Sequence, residues 1–329
     1  MAQKSDMKHL LRRILGWAFT LLVLACSGIY VFAPRDVAKL SIMIERTQAG
    51  LTPHSAEIPG FHIAYLEGGK GQQDEPLLLV HGSGAEKDNW TRSAKTLTRR
   101  YHVIAVDLPG YGESSRPPDA HYRIEDQVER LHYFVHGLGY PAIHLGGNSM
   151  GAWIAGSYAV HYPDEVRSLW LLDAAGVSAA NPSEMGERIA KGERIPIFAR
   201  TIPEFDQVMD FVFTHPPFIP SPVKRIYAER ASANYSLNVK IFNEVRSQSL
   251  PLDKTVAGLK TPTLIVWGSD DRVQNVSGAE ILHRLMPDSK VVIMSGVGHL
   301  PMLEAPRQAA EDYIAFRDSQ AAAPLSAPR

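Results

Sequence analysis

A serine flanked by glycines is the residue of this sequence best suited to chemistry. Ser149 lies in the run Gly-Gly-Asn-Ser-Met-Gly at 146–151, after an apolar strand-like segment at 141–145. A G-x-S-x-G sequence between a strand and a helix forms a tight turn that exposes the serine hydroxyl, and side chains at Gly147 or Gly151 would collide across it. The helix that follows directs free N–H groups at the same point. Ser149 is therefore a candidate nucleophile.

Acyl transfer by a serine also needs a base, an acid that orients the base, and donors for the oxyanion. His299 lies in a glycine-containing loop late in the chain, and it is the candidate base. Asp270 and Asp271 follow the apolar run 263–267, and Asp173 follows an earlier apolar run. These three carboxylates are alternative candidates for the acid.

The run Leu-Val-His-Gly-Ser-Gly at 79–84 ends an early predicted strand, where an oxyanion loop is expected. His81 could be catalytic, but beside Gly82 it is better suited to shaping this loop. The segment Asp-Asn-Trp at 88–90 could simply begin and pack a helix. Trp90 could also line an acyl pocket, so Trp90 and Gly82 are the candidate pocket residues.

His132 and His136 have the i, i+4 spacing of metal ligands on a helix. The intervening Tyr-Phe-Val at 133–135 lacks the glutamate of the H-E-x-x-H motif. The sequence therefore predicts no metal site at this pair, and no metal or organic cofactor elsewhere.

The composition is that of a folded protein with a substantial core. The chain has 329 residues, of which 45% are hydrophobic and 21% charged. The formal net charge is −1, and no basic block lies outside the first residues. Nothing in this balance favours a nucleic-acid partner.

Strands and helices are predicted to alternate along the chain. The predicted strands lie at 61–66, 76–80, 102–107, 142–145, 168–172, 263–267 and 290–294. The predicted helices lie near 87–99, 123–137, 149–161, 276–286 and 305–318. This alternation favours a mostly parallel, doubly wound α/β sheet with its active site at the carboxyl ends of the strands.

The order of the elements divides the chain into segments. Residues 61–176 and 260–319 form the predicted core. Residues 177–259 contain helical pieces but no convincing strand, and they are too long for a connection, so they are predicted to form a helical cap. Residues 34–60 are predicted to be a linker with an amphipathic helix, and 320–329 a disordered tail.

The N-terminal region has the pattern of a membrane anchor. Residues 14–33 carry no charge over about twenty positions, the length of a membrane-spanning helix. Residues 1–13 are basic and are predicted to stay in the cytoplasm. We expect an uncleaved transmembrane anchor in a bacterial inner membrane, with the catalytic part in the periplasm. The alternatives are a lipoprotein lipidated at Cys26 and a protein secreted after signal cleavage.

With these residues in place, the chain resembles the α/β-hydrolase superfamily over residues 61–316. Within it, the pattern is similar to bacterial lipases and esterases of the monoacylglycerol-lipase type, some of which carry an N-terminal membrane anchor. The matching motifs are His-Gly at 81–82, Asp-Asn-Trp at 88–90, Asp-Leu-Pro-Gly-Tyr-Gly-Glu-Ser at 107–114, G-x-S-x-G at 147–151, and Asp271 with His299.

The resemblance implies roles for three side chains. Matched by position, Ser149 is the nucleophile, His299 the base and Asp271 the acid that orients it. Asp271 is preferred to Asp270 because relatives place the acid three residues after the glycine equivalent to Gly268. A serine as nucleophile argues against dehalogenases and epoxide hydrolases, the relatives that use an aspartate there.

The resemblance also implies the oxyanion donors, which are the backbone N–H groups of Ser83 and Met150. The expected function is a serine carboxylic-ester hydrolase that acts on apolar, lipid-like acyl esters through an acyl-enzyme. A carbon–carbon bond hydrolase or a perhydrolase of the same fold is the alternative. A third hypothesis is a protein of the same fold that binds a ligand without catalysing a reaction.

Overall fold

The computed structural model describes residues 12, 14–20, 30, 32–70 and 76–321. Within them an eight-stranded sheet has the strand order β1-β2-β4-β3-β5-β6-β7-β8. The strands are β1 (Leu51–Ile58), β2 (Phe61–Gly69), β3 (Leu77–Val80), β4 (His102–Val106), β5 (Ile143–Asn148), β6 (Val166–Leu172), β7 (Thr263–Gly268) and β8 (Ser289–Met294). Only β1–β2 and β2–β4 pair antiparallel. The predicted mostly parallel sheet is confirmed.

The central strands are apolar because both faces of the sheet are covered. In β3, Leu78 and Val80 belong to one apolar core, whereas Leu77 and Leu79 belong to another. Successive side chains of a strand point to opposite faces, so a run without alternation in polarity buries both of them. The two cores therefore lie on the two faces of one sheet.

The strand β1 was not predicted from the sequence. Residues 34–60, predicted to be a linker with a helix, contain the helix α1 (Pro34–Gln48) followed by β1. The prediction of a linker is wrong for 51–58, which pair with β2 along their whole length. In β1 only the terminal residues, Leu51 and Ile58, are buried, and Pro53 lies between them. An edge strand of this kind has no alternating apolar pattern to detect.

The sheet order creates a crevice at one edge. Strand β3 pairs with β4 on one side and with β5 on the other, and all three run parallel. The chain therefore leaves β3 and β5 in opposite lateral directions, which is the switch point where doubly wound sheets bind ligands. The loop 81–84 follows β3, and Ser149 follows β5.

The helices α2 (Thr91–Leu97), α3 (Ile124–Gly137), α4 (Met150–His161), α10 (Ser277–Leu285), α11 (Pro301–Glu304) and α12 (Pro306–Ala321) connect or follow the strands. The 3-10 turns Lys87–Trp90 and Pro163–Glu165 precede α2 and follow α4. Because α12 extends to Ala321, the first two residues of the predicted tail are helical. Residues 322–329 lie outside the described residues.

The long interval between β6 and β7 is helical. Residues 177–259, all of them described, hold α5 (Glu184–Ala190), α6 (Ile202–Val212), α7 (Ser221–Ala233), α8 (Tyr235–Gln248) and α9 (Leu252–Thr255), and no strand. An apolar cluster of α5, α6 and α8 includes Met185, Phe211 and Phe242. The prolines at 216, 217 and 220 lie between α6 and α7, and Pro222 lies in the first turn of α7.

The chain divides into two compact units. One contains the residues up to Ile44 with Ile219–Tyr227, and in it Ala38 and Ile42 of α1 cluster with Val223 of α7. The other, Glu45–Phe218 with Ala228–Arg329, contains the sheet.

The predicted transmembrane segment 14–33 falls partly outside the described residues. Positions 21–29, which include Cys26, and position 31 are not described. Among the helices that are described, none has the length and apolar character needed to cross a membrane.

Candidate active site

The turn at Ser149 has the backbone geometry expected of an exposed nucleophile. Ser149 adopts φ 56° and ψ −119°, a strained conformation for a residue with a side chain. A Cβ on Gly147 would lie 2.2 Å from the carbonyl oxygen of Gly151. A Cβ on Gly151 would lie 2.2 Å from the carbonyl oxygen of Val80. The predicted need for glycine at both positions is confirmed.

Neighbouring strands hold the Ser149 backbone in this conformation. The Ser149 N–H donates to the Leu172 carbonyl at 2.9 Å, and its own carbonyl accepts from the Ala175 N–H at 3.1 Å. Leu172 is the last residue of β6, and Ala175 follows that strand. The strain is therefore compensated by hydrogen bonds that only the assembled sheet provides.

His299 and Asp271 form a buried hydrogen-bonded pair. His299 Nδ1 lies 2.9 Å from Asp271 Oδ2, and the side chains are 6% and 0% exposed. Asp271 Oδ1 also accepts from the N–H groups of Val273 at 2.7 Å and Gln274 at 3.0 Å. Asp270, by contrast, is exposed and accepts from the Ser269 hydroxyl. Of the two adjacent aspartates, Asp271 is thus the one in contact with the histidine.

The loop that carries His299 is tied to the serine turn by a residue that the sequence did not single out. The Asn148 side-chain amide donates to the carbonyl oxygen of His299 at 3.1 Å. Asn148 is the last residue of β5 and is fully buried next to Ser149. This contact joins the loop of His299 to the residue before Ser149, and no sequence motif predicted it.

A second unpredicted residue, Glu304, joins the histidine loop to the helical interval. Its Oε2 accepts from the N–H groups of Gly298 at 3.0 Å and Thr214 at 3.3 Å, and its Oε1 accepts from His215 at 2.7 Å. In addition, the His299 N–H donates to the Val212 carbonyl at 2.8 Å. The segment after α6 therefore lies directly against the histidine loop.

The two candidate oxyanion donors come from the ends of β3 and β5. Met150 is the first residue of α4, so its N–H is one of the first-turn groups without an intrahelical acceptor. The Ser83 hydroxyl lies 3.3 Å from Met150 Sδ, so the two residues are in contact. A Cβ on Gly82 would lie 3.0 Å from the Cβ of Ser149, so the loop 81–84 passes close to Ser149.

His81 shapes that loop. Its Nε2 accepts the Leu108 N–H at 3.1 Å, so Nδ1 carries the ring proton and donates to the Gly82 carbonyl at 2.8 Å. Burial lowers the pKa of His81 and keeps the ring neutral. With both ring nitrogens occupied by backbone groups, His81 is not placed to act on a substrate.

Trp90 is a core residue in the structure. It is 0% exposed and packs with its ring centroid 5.8 Å from that of Trp170, among apolar residues of the second core. Packing alone accounts for this side chain, and its role in a pocket stays a prediction.

An apolar side chain from the helical interval lies over the oxyanion loop instead. A Cβ on Gly84 would lie 3.0 Å from Phe198 Cε1, and the Phe198 ring packs edge-on against Phe242 at 5.7 Å. Phe198 belongs to an apolar cluster that also contains Phe213 and Val273. This cluster joins the helical interval to the segment that follows Asp271.

Asp173, the third candidate acid, lies beside the pair. It is fully buried with φ 46°, and its Oδ1 accepts the Gly268 N–H at 2.9 Å. Ligand atoms of Asp173, Asp271 and His299 all lie within 4.8 Å of one another. Burial, and then the charge of Asp271, raise the pKa of Asp173 well above its usual range. The folded protein therefore binds the Asp173 proton more tightly than the unfolded chain does.

We expect Asp173→Asn to become more stable relative to the wild type as the pH rises above about 4, the pKa of an unperturbed aspartate. In the wild type the unfolded chain releases the Asp173 proton at a lower pH than the folded chain does. This side chain therefore costs stability as the pH rises from the unfolded pKa towards the folded pKa, a loss that asparagine lacks. Urea unfolding of both proteins at a series of pH values measures the difference. Parallel curves would contradict a raised pKa of Asp173, and Asp270→Asn, at an exposed position, is the matched control.

Known proteins resemble this chain over nearly its full length. The family described as alpha/beta hydrolase fold matches residues 75–306. "Lipase 1" of Psychrobacter immobilis is 37% identical over 91% of this chain and 94% of its own, and "Monoacylglycerol lipase ABHD6" of Bos taurus is 28% identical over 92% and 93%. The crystal structure of a membrane phospholipase A has a TM-score of 0.86 and 43% identity, covering 95% of this chain and 99% of that one. With its sheet order and serine turn, this chain belongs to the α/β-hydrolase fold family.

Proposed function

We propose that this protein is a serine carboxylic-ester hydrolase that acts on apolar acyl esters through an acyl-enzyme. The observation that carries the proposal is the buried pair of His299 and Asp271, tied through Asn148 to the strained turn at Ser149. The names of the relatives, which include a lipase and a monoacylglycerol lipase, support an ester as the substrate.

In the proposed mechanism, His299 acts first as a base and then as an acid. With Nδ1 engaged by Asp271, Nε2 accepts the proton of the Ser149 hydroxyl as that oxygen attacks the ester carbonyl carbon. The imidazolium then protonates the leaving alkoxide, and the acyl group stays on Ser149. A water molecule, deprotonated by His299, attacks this acyl ester, and the serine regains its proton as the carboxylic acid leaves.

The oxyanion formed in each step is proposed to accept hydrogen bonds from the N–H groups of Ser83 and Met150. These groups belong to backbone that is already fixed by the sheet, so they need no reorganisation during the reaction. The closeness of the Ser83 hydroxyl to Met150 Sδ, at 3.3 Å, supports the placement of both donors on one side of Ser149. A donor of this kind contributes about 10²–10³ in rate.

The acyl chain is proposed to lie against the apolar cluster of the helical interval. Phe198 packs on Gly84 of the proposed oxyanion loop, and Phe213 lies within the segment 212–215 that contacts the histidine loop and Glu304. An acyl chain that extends from Ser149 towards these residues would leave water and pack against apolar side chains. Such contact contributes about 0.8 kcal/mol per buried methylene.

Substitutions test whether the proposed triad of Ser149, His299 and Asp271, and not a neighbouring residue, carries the activity. We expect Ser149→Ala and Asp271→Asn each to lower kcat on p-nitrophenyl esters about 10⁴-fold or more, because one removes the nucleophile and the other leaves the imidazole in the wrong tautomer. Asp270→Asn is the matched control and should retain activity, since that side chain is exposed. Circular dichroism checks folding. A folded Ser149→Ala protein with full turnover would exclude the serine mechanism.

A series of esters tests the apolar pocket. We expect kcat/KM to rise from acetate to octanoate, and Phe198→Ala to lower the octanoate value about tenfold with little change for acetate, because the ring contacts only a longer chain. Phe218→Ala is the control, since Phe218 is 83% exposed. Equal losses on all esters would contradict this role for Phe198. A strong preference for ring-cleavage diketones over every ester would favour the carbon–carbon bond hydrolase.

We also propose that residues 14–33 anchor the protein in a membrane, with the catalytic part in the periplasm. The uncharged run and its basic flank support this, as does the name of the structurally similar membrane phospholipase A. Activity should sediment with membranes and become soluble when residues 1–33 are deleted. Cys26→Ser separates the alternatives, because it should leave an anchored protein membrane-bound but release one held by lipid on that cysteine. Soluble full-length activity would contradict both.

A further inference from the structure

A second cluster of polar side chains lies away from the proposed triad. His132 and His136, near the end of α3, both face Glu165, the last residue of the 3-10 turn after α4. His132 Nδ1 lies 3.2 Å from Glu165 Oε2, and His136 Nε2 lies 3.0 Å from Glu165 Oε1. We propose that these three side chains bind a divalent transition-metal ion, with Zn²⁺ as the best match.

The distances fit zinc coordination. One ligand atom from each of the three residues lies within 4.8 Å of the other two. Zinc binds imidazole nitrogen and carboxylate oxygen at about 2.0–2.2 Å in tetrahedral sites, which puts neighbouring ligand atoms about 3.3 Å apart. The two nitrogen–oxygen distances are close to this separation of neighbouring ligand atoms. Small movements of the side chains would therefore make room for an ion. His136 is half exposed, which leaves a path for the ion and a position for water.

Neighbouring aromatic residues orient the ligands. The Tyr158 hydroxyl donates to Glu165 Oε2 at 2.6 Å. The Tyr162 ring stacks on His132 with the centroids 3.9 Å apart and the planes at 5°. Partners of this kind, which fix the orientation of ligands, are typical of metal sites.

The fold places this cluster at the edge of the sheet opposite the serine turn. Helices α3 and α4 end shortly before β5 and β6 begin, so their last turns lie at the amino ends of parallel strands. Ser149 lies at the carboxyl end of β5. A metal ion at the cluster would therefore join α3 to the turn after α4, and would stabilise the fold without taking part in ester hydrolysis. The proposal does not depend on the proposed function.

The experiment is a zinc titration of the untagged full chain after treatment with EDTA and desalting. Isothermal titration calorimetry should detect one micromolar site per chain, and zinc should raise the melting temperature. In His136→Ala the affinity should fall at least about tenfold and the rise in melting temperature should disappear. His161→Ala is the matched control, because His161 is an exposed histidine at the end of α4 that bonds to the Ser157 carbonyl and is not one of the three proposed ligands.

A second variant keeps the test independent of folding defects. Tyr158→Phe removes one hydroxyl from a fully buried ring and should weaken zinc binding about tenfold while the ring stays packed. Zinc at saturation should leave the hydrolysis of p-nitrophenyl esters unchanged. The proposal is overturned if the wild type binds no stoichiometric zinc, or if His136→Ala binds it as tightly. Zinc that inhibits hydrolysis and still binds His136→Ala would indicate the group of Asp173, Asp271 and His299 instead.

Discussion

The serine turn is the constraint on which the proposed active site depends. Ser149 is held at a positive φ, and the glycines on either side approach backbone atoms too closely for any side chain. One of these contacts, from Gly151 to the Val80 carbonyl, brings the first turn of α4 against the end of β3 at the switch point of the sheet. The turn therefore cannot form by itself, since the neighbouring strands both crowd it and satisfy its hydrogen bonds.

Other groups are positioned from this turn outwards by buried hydrogen bonds. Asn148, one residue before the nucleophile, binds the backbone of His299, and Asp271 binds its ring. Glu304 then connects the loop of His299 to backbone N–H groups of the helical interval. Because buried polar groups are costly when they lose a partner, each of these contacts resists separate movement of the segments it joins. The histidine is thereby held against both the sheet and the helices above it.

The two acidic environments next to His299 differ for a physical reason. Asp271 accepts hydrogen bonds from two backbone N–H groups and contacts the imidazole, whereas Asp173 is buried beside it, so that burial and the charge of Asp271 raise the pKa of Asp173. At the opposite edge of the sheet, Glu165 stays ionised because tyrosine and histidine side chains surround it. In each case the partners of the carboxyl decide its charge, and its residue type does not.

The sequence by itself determined the nucleophile candidate, the sheet and the need for glycine at 147 and 151, because tight turns and buried parallel strands leave local patterns. The family resemblance favoured Asp271 over Asp270, and the tertiary structure showed that Asp271 is the one that meets His299, since adjacent residues differ in where the backbone points them. Only the tertiary structure decided that 51–58 form an edge strand. The same holds for Glu165, which the fold brings to His132 and His136 from the end of the next helix. Contacts between distant segments leave no periodic signal in one sequence, so the sequence could name candidate reacting groups but not the residues that hold them.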